Sequence, residues 1–150
     1  MRLLLMPLLL AFMSGCSDSS VQEITLHVGW NEDGRTQYMR PASVTVHQGD
    51  KVRFIVVNDD DPNRDYNGPG VPTNDNFHDV ALIDYAGATY EHEAPAGEAP
   101  SRTCVQDISK PGCVADHFVA SEKGTFRLIC EVRTSPSHEA RGMHATFIVE

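Results

Sequence analysis

Beyond its first residues, the chain is patterned as a series of short β-strands. Runs rich in Val, Ile, Thr and Phe alternate apolar and polar positions with a period of two, which places alternate side chains on opposite faces of a strand. No stretch has a convincing helical period, although residues 90–99 are compatible with a turn or two of helix. The pattern therefore indicates an all-β sandwich or barrel. The predicted strands are Glu23–Val28, Ser43–His47, Lys51–Val57, Phe77–Ile83, Asp116–Ala120, Thr125–Cys130 and Met143–Val149.

Two long joins interrupt this series of strands. Residues 58–76 are polar and rich in Asn, Pro and Gly, and residues 86–115 are rich in Ala, Pro and Gly. Neither composition is typical of a packed element. Loops of this length inside a compact domain usually carry a function or move. Both are therefore predicted as insertions into the sandwich.

The first insertion carries alternating oxygen-bearing side chains. Asp59, Asp61, Asn63 and Asp65 resemble the start of a calcium-binding loop. The sixth position of such a loop needs Gly and the twelfth needs Glu, and this chain has neither there. The favoured interpretation is a solvated acidic loop that could steer a basic partner, with calcium binding as the alternative.

The first segment has the pattern of an export signal. Arg2 precedes the apolar stretch Leu3–Met13, and two small residues separate that stretch from Cys16. The apolar stretch is too short to span a bilayer well. We therefore predict a signal peptide at 1–15, a modified cysteine and tether at 16–21, and one domain at 22–150.

The residues that end this segment, Met13-Ser14-Gly15-Cys16, resemble the lipobox of bacterial lipoproteins. That resemblance implies a lipidated Cys16 and a periplasmic protein held at the membrane through its lipid anchor only. Ser17 after the cysteine implies delivery to the outer membrane if the host is Gram-negative. The alternative is an ordinary signal peptide with a chance cysteine at this position.

Composition limits the classes of function that remain. The 150 residues allow one domain, and an apolar fraction of 41% is enough for a core. Acidic residues outnumber basic ones by 21 to 12, which gives a net charge of −9. Such a charge argues against a nucleic-acid binder that depends on phosphate contacts. It fits an acidic domain, including one that meets a basic partner.

The number of cysteines leaves one thiol without a disulfide partner if the protein is exported. If Cys16 is lipidated, three remain in an oxidising compartment, which leaves one thiol over. The simplest arrangement pairs Cys104 with Cys113 across a Pro-Gly turn and leaves Cys130 free as a metal ligand. The alternative is that Cys130 forms a disulfide with one of the other two.

Strand parity brings potential metal ligands together. Cys130, Met143 and His78 each alternate in step with the apolar residues of their predicted strands, so all three should face the core. His138 lies in the loop between Cys130 and Met143. Two imidazoles, a thiolate and a thioether suit copper, because the sulfurs stabilise Cu(I) while the imidazoles accept Cu(II). His144 is the competitor of His138, but its parity points it away from the core.

These segments resemble the cupredoxins, the type 1 blue copper family. The motif RPASVTVHQGDKVRFIVVN resembles the second and third strands of that family, and FHDVAL resembles the strand with its first His ligand. GTFRLIC, then His138, then GMHATFIV resemble its C-terminal ligand loop. The resemblance covers roughly residues 22–150 and implies a Greek-key β-sandwich of seven to eight strands with two long loop insertions.

The resemblance assigns His78, Cys130, His138 and Met143 as ligands of one mononuclear type 1 copper ion. It implies that Met143 is the weak axial ligand and that His138 lies near the surface, where electrons enter or leave. The cupredoxins usually have Asn after the first His; Asp79 stands there in this chain, which favours Cu(II). Thr134 stands where a binuclear centre would need a second cysteine, so one ion is expected.

The expected function is single-electron transfer in the periplasm, with a c-type cytochrome, a copper reductase or a terminal oxidase as redox partner. Seven residues separate Cys130 from His138, a long loop that favours the alternative of a copper chaperone, buffer or resistance factor. A copper-free interaction module is the third possibility. An enzyme is not expected, because four protein ligands leave no open position for a substrate.

Overall fold

The structure is a computed structural model that describes residues 20–64, 77–85, 92–99, 101–102, 105–107 and 110–150. Residues 92–95, 101–102, 105–107 and 110–114 are described by their backbone alone. The predicted signal peptide, Cys16 and Cys104 lie outside the described residues, as does the side chain of Cys113. Signal cleavage, lipidation and the Cys104–Cys113 disulfide therefore stay predictions.

Two five-stranded sheets and a small ribbon make up the described fold. The first sheet has the order β10-β4-β1-β2, with β7 also pairing with β4, and the second has the order β3-β12-β11-β5-β6. The ribbon pairs β8 with β9. In chain order the strands are β1 Gln22–Trp30, β2 Gln37–Arg40, β3 Ser43–Val46, β4 Lys51–Asn58, β5 Phe77–Ile83, β6 His92–Pro95, β7 Ser101–Arg102, β8 Val105–Asp107, β9 Lys110–Ala115, β10 Phe118–Val119, β11 Gly124–Cys130 and β12 His144–Val149.

Consecutive strands cross between the two sheets. β3 joins the second sheet parallel to β12, whereas β4 joins the first sheet parallel to β1. The turn between β3 and β4 has Gly49 at a φ of 97°, and the Asp50 carboxylate accepts a hydrogen bond from the His47 backbone N–H at 2.8 Å. The chain changes sheets at the tight turn Gln48-Gly49-Asp50.

The core lies between the facing sheets. β4 alternates half-buried and buried residues along its length, which is the burial pattern of a strand with one face on a core. Phe54 of β4 meets Phe147 of β12 with ring centroids 5.5 Å apart, and Phe118 meets the same ring at 5.8 Å. These contacts between sheets confirm the predicted all-β sandwich.

Each of the seven predicted strands corresponds to a strand of the structure. β5 has the predicted bounds, and the others shift by up to two residues at an end. β2 was not predicted, because it is only four residues long and carries Gln and Arg. Residues 92–95 form β6, so the helical turn expected within 90–99 is wrong at those positions. Short strands β6 to β9 also occupy parts of the second long insertion.

None of the described residues form a helix that is long and apolar enough to cross a bilayer.

Candidate metal centre

Three of the predicted ligands meet at one end of the sandwich. β5 and β11 are antiparallel neighbours with Val80 opposite Cys130, so His78 lies diagonally across from Cys130 on the same face. His138 comes from the loop that follows β11. The ligand atoms of His78, Cys130 and His138 lie within 4.8 Å of one another, and all three side chains are buried.

The two imidazoles present their Nδ1 atoms to this centre. The Nδ1 atoms of His78 and His138 are 3.2 Å apart, and the Cys130 Sγ lies 3.5 Å from the His138 Nδ1. Metal–nitrogen bonds of about 2.0 Å and metal–sulfur bonds of about 2.3 Å span separations of this size. One metal ion therefore fits between the three side chains.

Backbone hydrogen bonds fold the ligand loop back onto the sheet. The His138 N–H donates to the Val132 carbonyl at 3.3 Å, and the His138 carbonyl accepts from the Met143 N–H at 3.0 Å. The Cys130 N–H in turn donates to the Met143 carbonyl at 3.2 Å. Met143 is thus tied to both neighbouring ligands through its backbone, and its side chain is fully buried. Its role as the axial ligand stays a prediction.

Burial makes Cys130 a thiol in the metal-free protein. Loss of solvent around the sulfur is the largest effect, and it raises the pKa of Cys130 to about 11. The backbone N–H of Asp79, 3.5 Å from Sγ, acts in the opposite direction by stabilising the thiolate. Among the cysteines that the structure describes, Cys130 forms no disulfide, which agrees with the predicted free thiol.

A buried carboxylate lies behind His78. Asp60, just past the end of β4, places Oδ2 2.8 Å from the His78 Nε2. Its Oδ1 accepts a hydrogen bond from the Trp30 backbone N–H, also at 2.8 Å. The Asp60 and His78 side chains are almost fully excluded from solvent, with 1% and 0% exposed. His78 therefore has one ring nitrogen toward the centre and the other on a carboxylate.

Trp30 covers the other imidazole. Its ring meets the His138 ring edge-on with centroids 6.4 Å apart, and the Arg141 guanidinium lies over the indole at 4.9 Å. His138 is 0% exposed. The expectation that His138 lies near the surface is therefore wrong. Trp30, the last residue of β1, packs against its ring.

The remaining candidate residues fall outside the centre. His144 is exposed on β12, opposite Ile129, as its parity predicted. The Asp59 carboxylate contacts the His27 Nδ1 at 3.0 Å and the Tyr38 hydroxyl at 3.0 Å. Within the described ranges, the His78, Cys130 and His138 group is the one cluster of three potential metal ligands.

Sequence reasoning missed Asp60 and Trp30. Asp60 stands inside the acidic run after β4, where nothing in the sequence separates it from Asp59. Trp30 is the lone Trp of the chain, and it stands two residues after the end of a predicted strand. That position was the available signal for Trp30, whereas the contact between Asp60 and His78 depends on how distant segments pack.

The donor set fits one type 1 copper ion. Two imidazole nitrogens and one cysteine sulfur form the trigonal set that is diagnostic of blue copper sites, with a Met sulfur as a weak fourth ligand. A structural zinc site would more often have four strong ligands from Cys and His. The three ligand side chains are buried, with at most 2% of any of them exposed.

No protein-family model matches the chain, and no curated protein is similar to it in sequence. Among solved structures, a chain of a heme-copper terminal oxidase dimer is similar at a TM-score of 0.50 and 15% identity. The match covers 86% of this chain and 65% of the oxidase chain. At this identity the likeness shows a shared fold.

Two further solved structures, one of them of a "blue" copper protein, are similar at lower TM-scores. Auracyanin A from Chloroflexus aurantiacus is 18% identical, with a TM-score of 0.46 over 86% of this chain and 100% of its own. Native pseudoazurin from Hyphomicrobium denitrificans is 22% identical, with a TM-score of 0.39 over 85% of this chain and 75% of its own. The all-β sandwich and the buried His-Cys-His group agree with what the sequence resemblance implied.

Proposed function

We propose that this cupredoxin-like chain binds one copper ion and carries single electrons between redox proteins. The observation that carries the proposal is the convergence of His78, Cys130 and His138 within 4.8 Å in a fully buried site. Copper supplies the exchange between two oxidation states. The protein supplies a donor set that suits both states, so few atoms have to move when an electron arrives.

Each ligand has a distinct task in this proposal. Cys130 provides the thiolate, and His78 and His138 provide imidazole nitrogens through Nδ1. Met143 provides a thioether that weakly completes the set and tunes the reduction potential. Core packing and loop hydrogen bonds hold these side chains in place and exclude water. With no position open to a substrate, the chain acts as a carrier and not as an enzyme.

Trp30 is the proposed contact through which electrons reach the centre. It lies against His138 on one side and under Arg141 on the other. The polar groove beside it, about 540 Å³ in volume, is lined by Trp30, Asn31, Glu32, Asp33, Thr36, Tyr38 and Arg40. A partner seated in this groove would approach the indole and not a bare imidazole.

The proposed setting is the periplasm, with the chain tethered by a lipid on Cys16. The net charge of −9 favours a partner with a basic face. The proposed partner is a c-type cytochrome, a copper reductase or a terminal oxidase. The anchor would confine the domain near membrane-bound partners without a membrane-spanning segment of its own.

Copper handling is the second candidate function. A surface cavity of about 270 Å³ opens beside the thiolate ligand. Two of its lining residues are carboxylates, which attract a metal cation, and one is the ligand itself. The cavity is lined by Ile129, Cys130, Glu131, Arg133, Ser137 and Glu139. Together with the seven-residue loop from 131 to 137, it favours metal exchange and thus a chaperone or buffer.

Copper titration separates these functions. One equivalent of Cu(II), added to the chain without its signal segment, is expected to give an intense thiolate-to-copper absorption band and a narrow hyperfine splitting in the electron paramagnetic resonance spectrum. Cys130→Ser should lose the band, because the strong covalent donor is gone, whereas His144→Ala should keep it. Slow copper release to a chelator would favour electron transfer, and fast release would favour copper handling.

Two results would contradict the proposal. If Cys130→Ser kept the intense band, the ligand assignment would be wrong. If the wild-type chain bound no copper, the interaction-module interpretation would replace both copper functions.

A further inference from the structure

We propose that Asp60 is a positioning residue of the metal centre, whose buried carboxylate sets the tautomer and orientation of His78 and favours the oxidised ion. This inference rests on the proposed copper function. It assigns a role to a residue that lies outside the predicted ligand set and does not itself touch the metal position.

Both oxygens of the Asp60 side chain take part in hydrogen bonds. Oδ2 faces the His78 Nε2 and Oδ1 accepts from the Trp30 backbone N–H, each at 2.8 Å. The Asp60 backbone N–H donates to the Asn58 Oδ1 at 3.0 Å, which fixes the turn after β4. Three hydrogen bonds therefore hold one carboxylate against one imidazole nitrogen, in a place that water does not reach.

The hydrogen-bond chemistry of this pair selects one form of His78. An ionised carboxylate only accepts hydrogen bonds, so the His78 Nε2 must carry the proton that lies between them. A neutral imidazole has one N–H, and the Nδ1 of His78 is then left with its lone pair. That atom is the one that faces His138 and the centre, at 3.2 Å from the His138 Nδ1. Asp60 thus keeps the His78 Nδ1 unprotonated, with the lone pair that binds a metal ion.

The fold provides space for the carboxylate at this position. A Cβ on Gly29 would lie 2.9 Å from the Asp60 Oδ1 and 3.1 Å from the Tyr38 hydroxyl oxygen. Only a residue without a side chain at position 29 allows Asp60 to come this close to β1. The contact between Asp60 and His78 therefore depends on the glycine at position 29 of β1.

The negative charge of Asp60 also acts on the ion through His78. A carboxylate on the far nitrogen of a ligating imidazole makes the ligand more basic, and such outer partners change metal affinity by about 10- to 100-fold. The site is closed to water, so the charge is poorly screened. More electron density on the ligand stabilises Cu(II) over Cu(I). Asp60 should therefore lower the reduction potential.

The neighbouring residue offers a matched control. Asp59 carries the same charge one position away, but its carboxylate faces the other way, toward His27 and Tyr38. Asp59→Asn removes one negative charge without touching His78. A difference between Asp59→Asn and Asp60→Asn therefore reports the hydrogen bond and not the general field of the loop.

We expect Asp60→Asn to weaken Cu(II) binding about 10- to 100-fold and to raise the reduction potential. The amide can accept from only one of its two former donors, and its NH₂ group then opposes the other. Asp59→Asn should change affinity by about twofold at most, as expected for a screened surface charge. Chelator competition and protein-film voltammetry measure the two quantities. Equal effects of the two variants would overturn the inference.

A measurement on the metal-free wild-type protein gives an independent test. The ¹⁵N chemical shifts of the His78 ring should show a proton on Nε2 and a lone pair on Nδ1 at neutral pH. A proton found on Nδ1 would overturn the inference whether or not Asp60→Asn folds. Gly29→Ala, which presses on Oδ1, should shift affinity and potential in the same direction as Asp60→Asn, and opposite shifts would contradict it.

These outcomes distinguish the inference from the proposed function. A wild-type protein without copper affinity would end the copper function, while the His78 ring shifts would still test the Asp60 contact. A wild-type protein that binds copper, with Asp60→Asn no different from Asp59→Asn, would end the inference alone.

Discussion

Two carboxylates of one acidic run have different environments. Asp59 is partly exposed and contacts a surface histidine and tyrosine, whereas Asp60 is buried and contacts a proposed metal ligand. Residue type and sequence position do not distinguish them. Their roles differ because the two side chains leave the turn after β4 in different directions, and only the Asp60 side chain reaches His78.

Gln37 is a second residue whose burial matters. The residue is 3% exposed, and neither polar atom of its side-chain amide has a hydrogen-bond partner among the described residues. It lies opposite Trp30 in the ladder between β1 and β2, and its backbone N–H donates to the Arg141 carbonyl. A buried amide in such a place costs stability without a compensating contact.

We expect Gln37→Met to raise the free energy of unfolding by about 1–2 kcal/mol, because it replaces an unsatisfied amide with an apolar side chain of similar length. Urea unfolding of the metal-free protein measures the change. Gln48→Met is a suitable control, because the Gln48 amide donates a hydrogen bond to the Ser121 carbonyl at 2.8 Å. The Gln48→Met protein loses that bond and should therefore be less stable than the wild type. A loss of stability in Gln37→Met would contradict the expectation.

At the scale of elements, the ligand loop depends on one glycine. Gly142 has a φ of 110°, and a Cβ there would lie 2.8 Å from the Gln37 carbonyl oxygen. The next residue, Met143, hydrogen-bonds to both Cys130 and His138 through its backbone. The close approach of the loop to β2 therefore positions the segment from which two proposed ligands come.

Gly142→Ala should destabilise the protein by about 1–3 kcal/mol, the usual cost of a strained backbone position. It should also shift the energy of the thiolate-to-copper band, because the loop must move away from β2. Gly49→Ala is the matched control: its φ is 97°, but nothing lies within 4 Å of the added Cβ. That variant should lose stability and leave the band unchanged. A band unchanged in Gly142→Ala would show that the loop tolerates the displacement.

At the scale of the whole molecule, stability depends on pH through a half-buried tyrosine, Tyr38. Burial, followed by the hydrogen bond to Asp59, raises the pKa of Tyr38 from 10.0 to about 12. The unfolded chain therefore releases this proton first as the pH rises. The Tyr38 contribution to stability is fully present below pH 10 and is lost as the pH approaches 12.

We expect the free energy of unfolding to fall more steeply between pH 10 and 12 in the wild-type protein than in Tyr38→Phe. The two proteins share every other titrating group, so the difference between their curves isolates the phenol. Denaturant unfolding at a series of pH values measures it. Parallel curves would mean that Tyr38 titrates alike in the folded and unfolded states.

Much of the architecture was predictable from local pattern. The alternation in Phe77–Ile83 predicted β5 with its bounds, and the parity of Cys130 and His78 predicted that both face the core. The exposed position of His144 followed from the same rule. β2 was missed because its residues QYMR include no β-branched side chain, and β6 because its composition resembles a loop.

The amino-acid sequence was enough to predict the longer strands, the faces on which the donor residues lie and the donor chemistry that suits copper. These properties follow from the period of two and from the side chains themselves. The tertiary structure decided that Asp60 contacts His78 and that Trp30 covers His138. Both contacts join residues far apart in sequence, and they depend on which strands pair and where each strand ends, which no local pattern encodes.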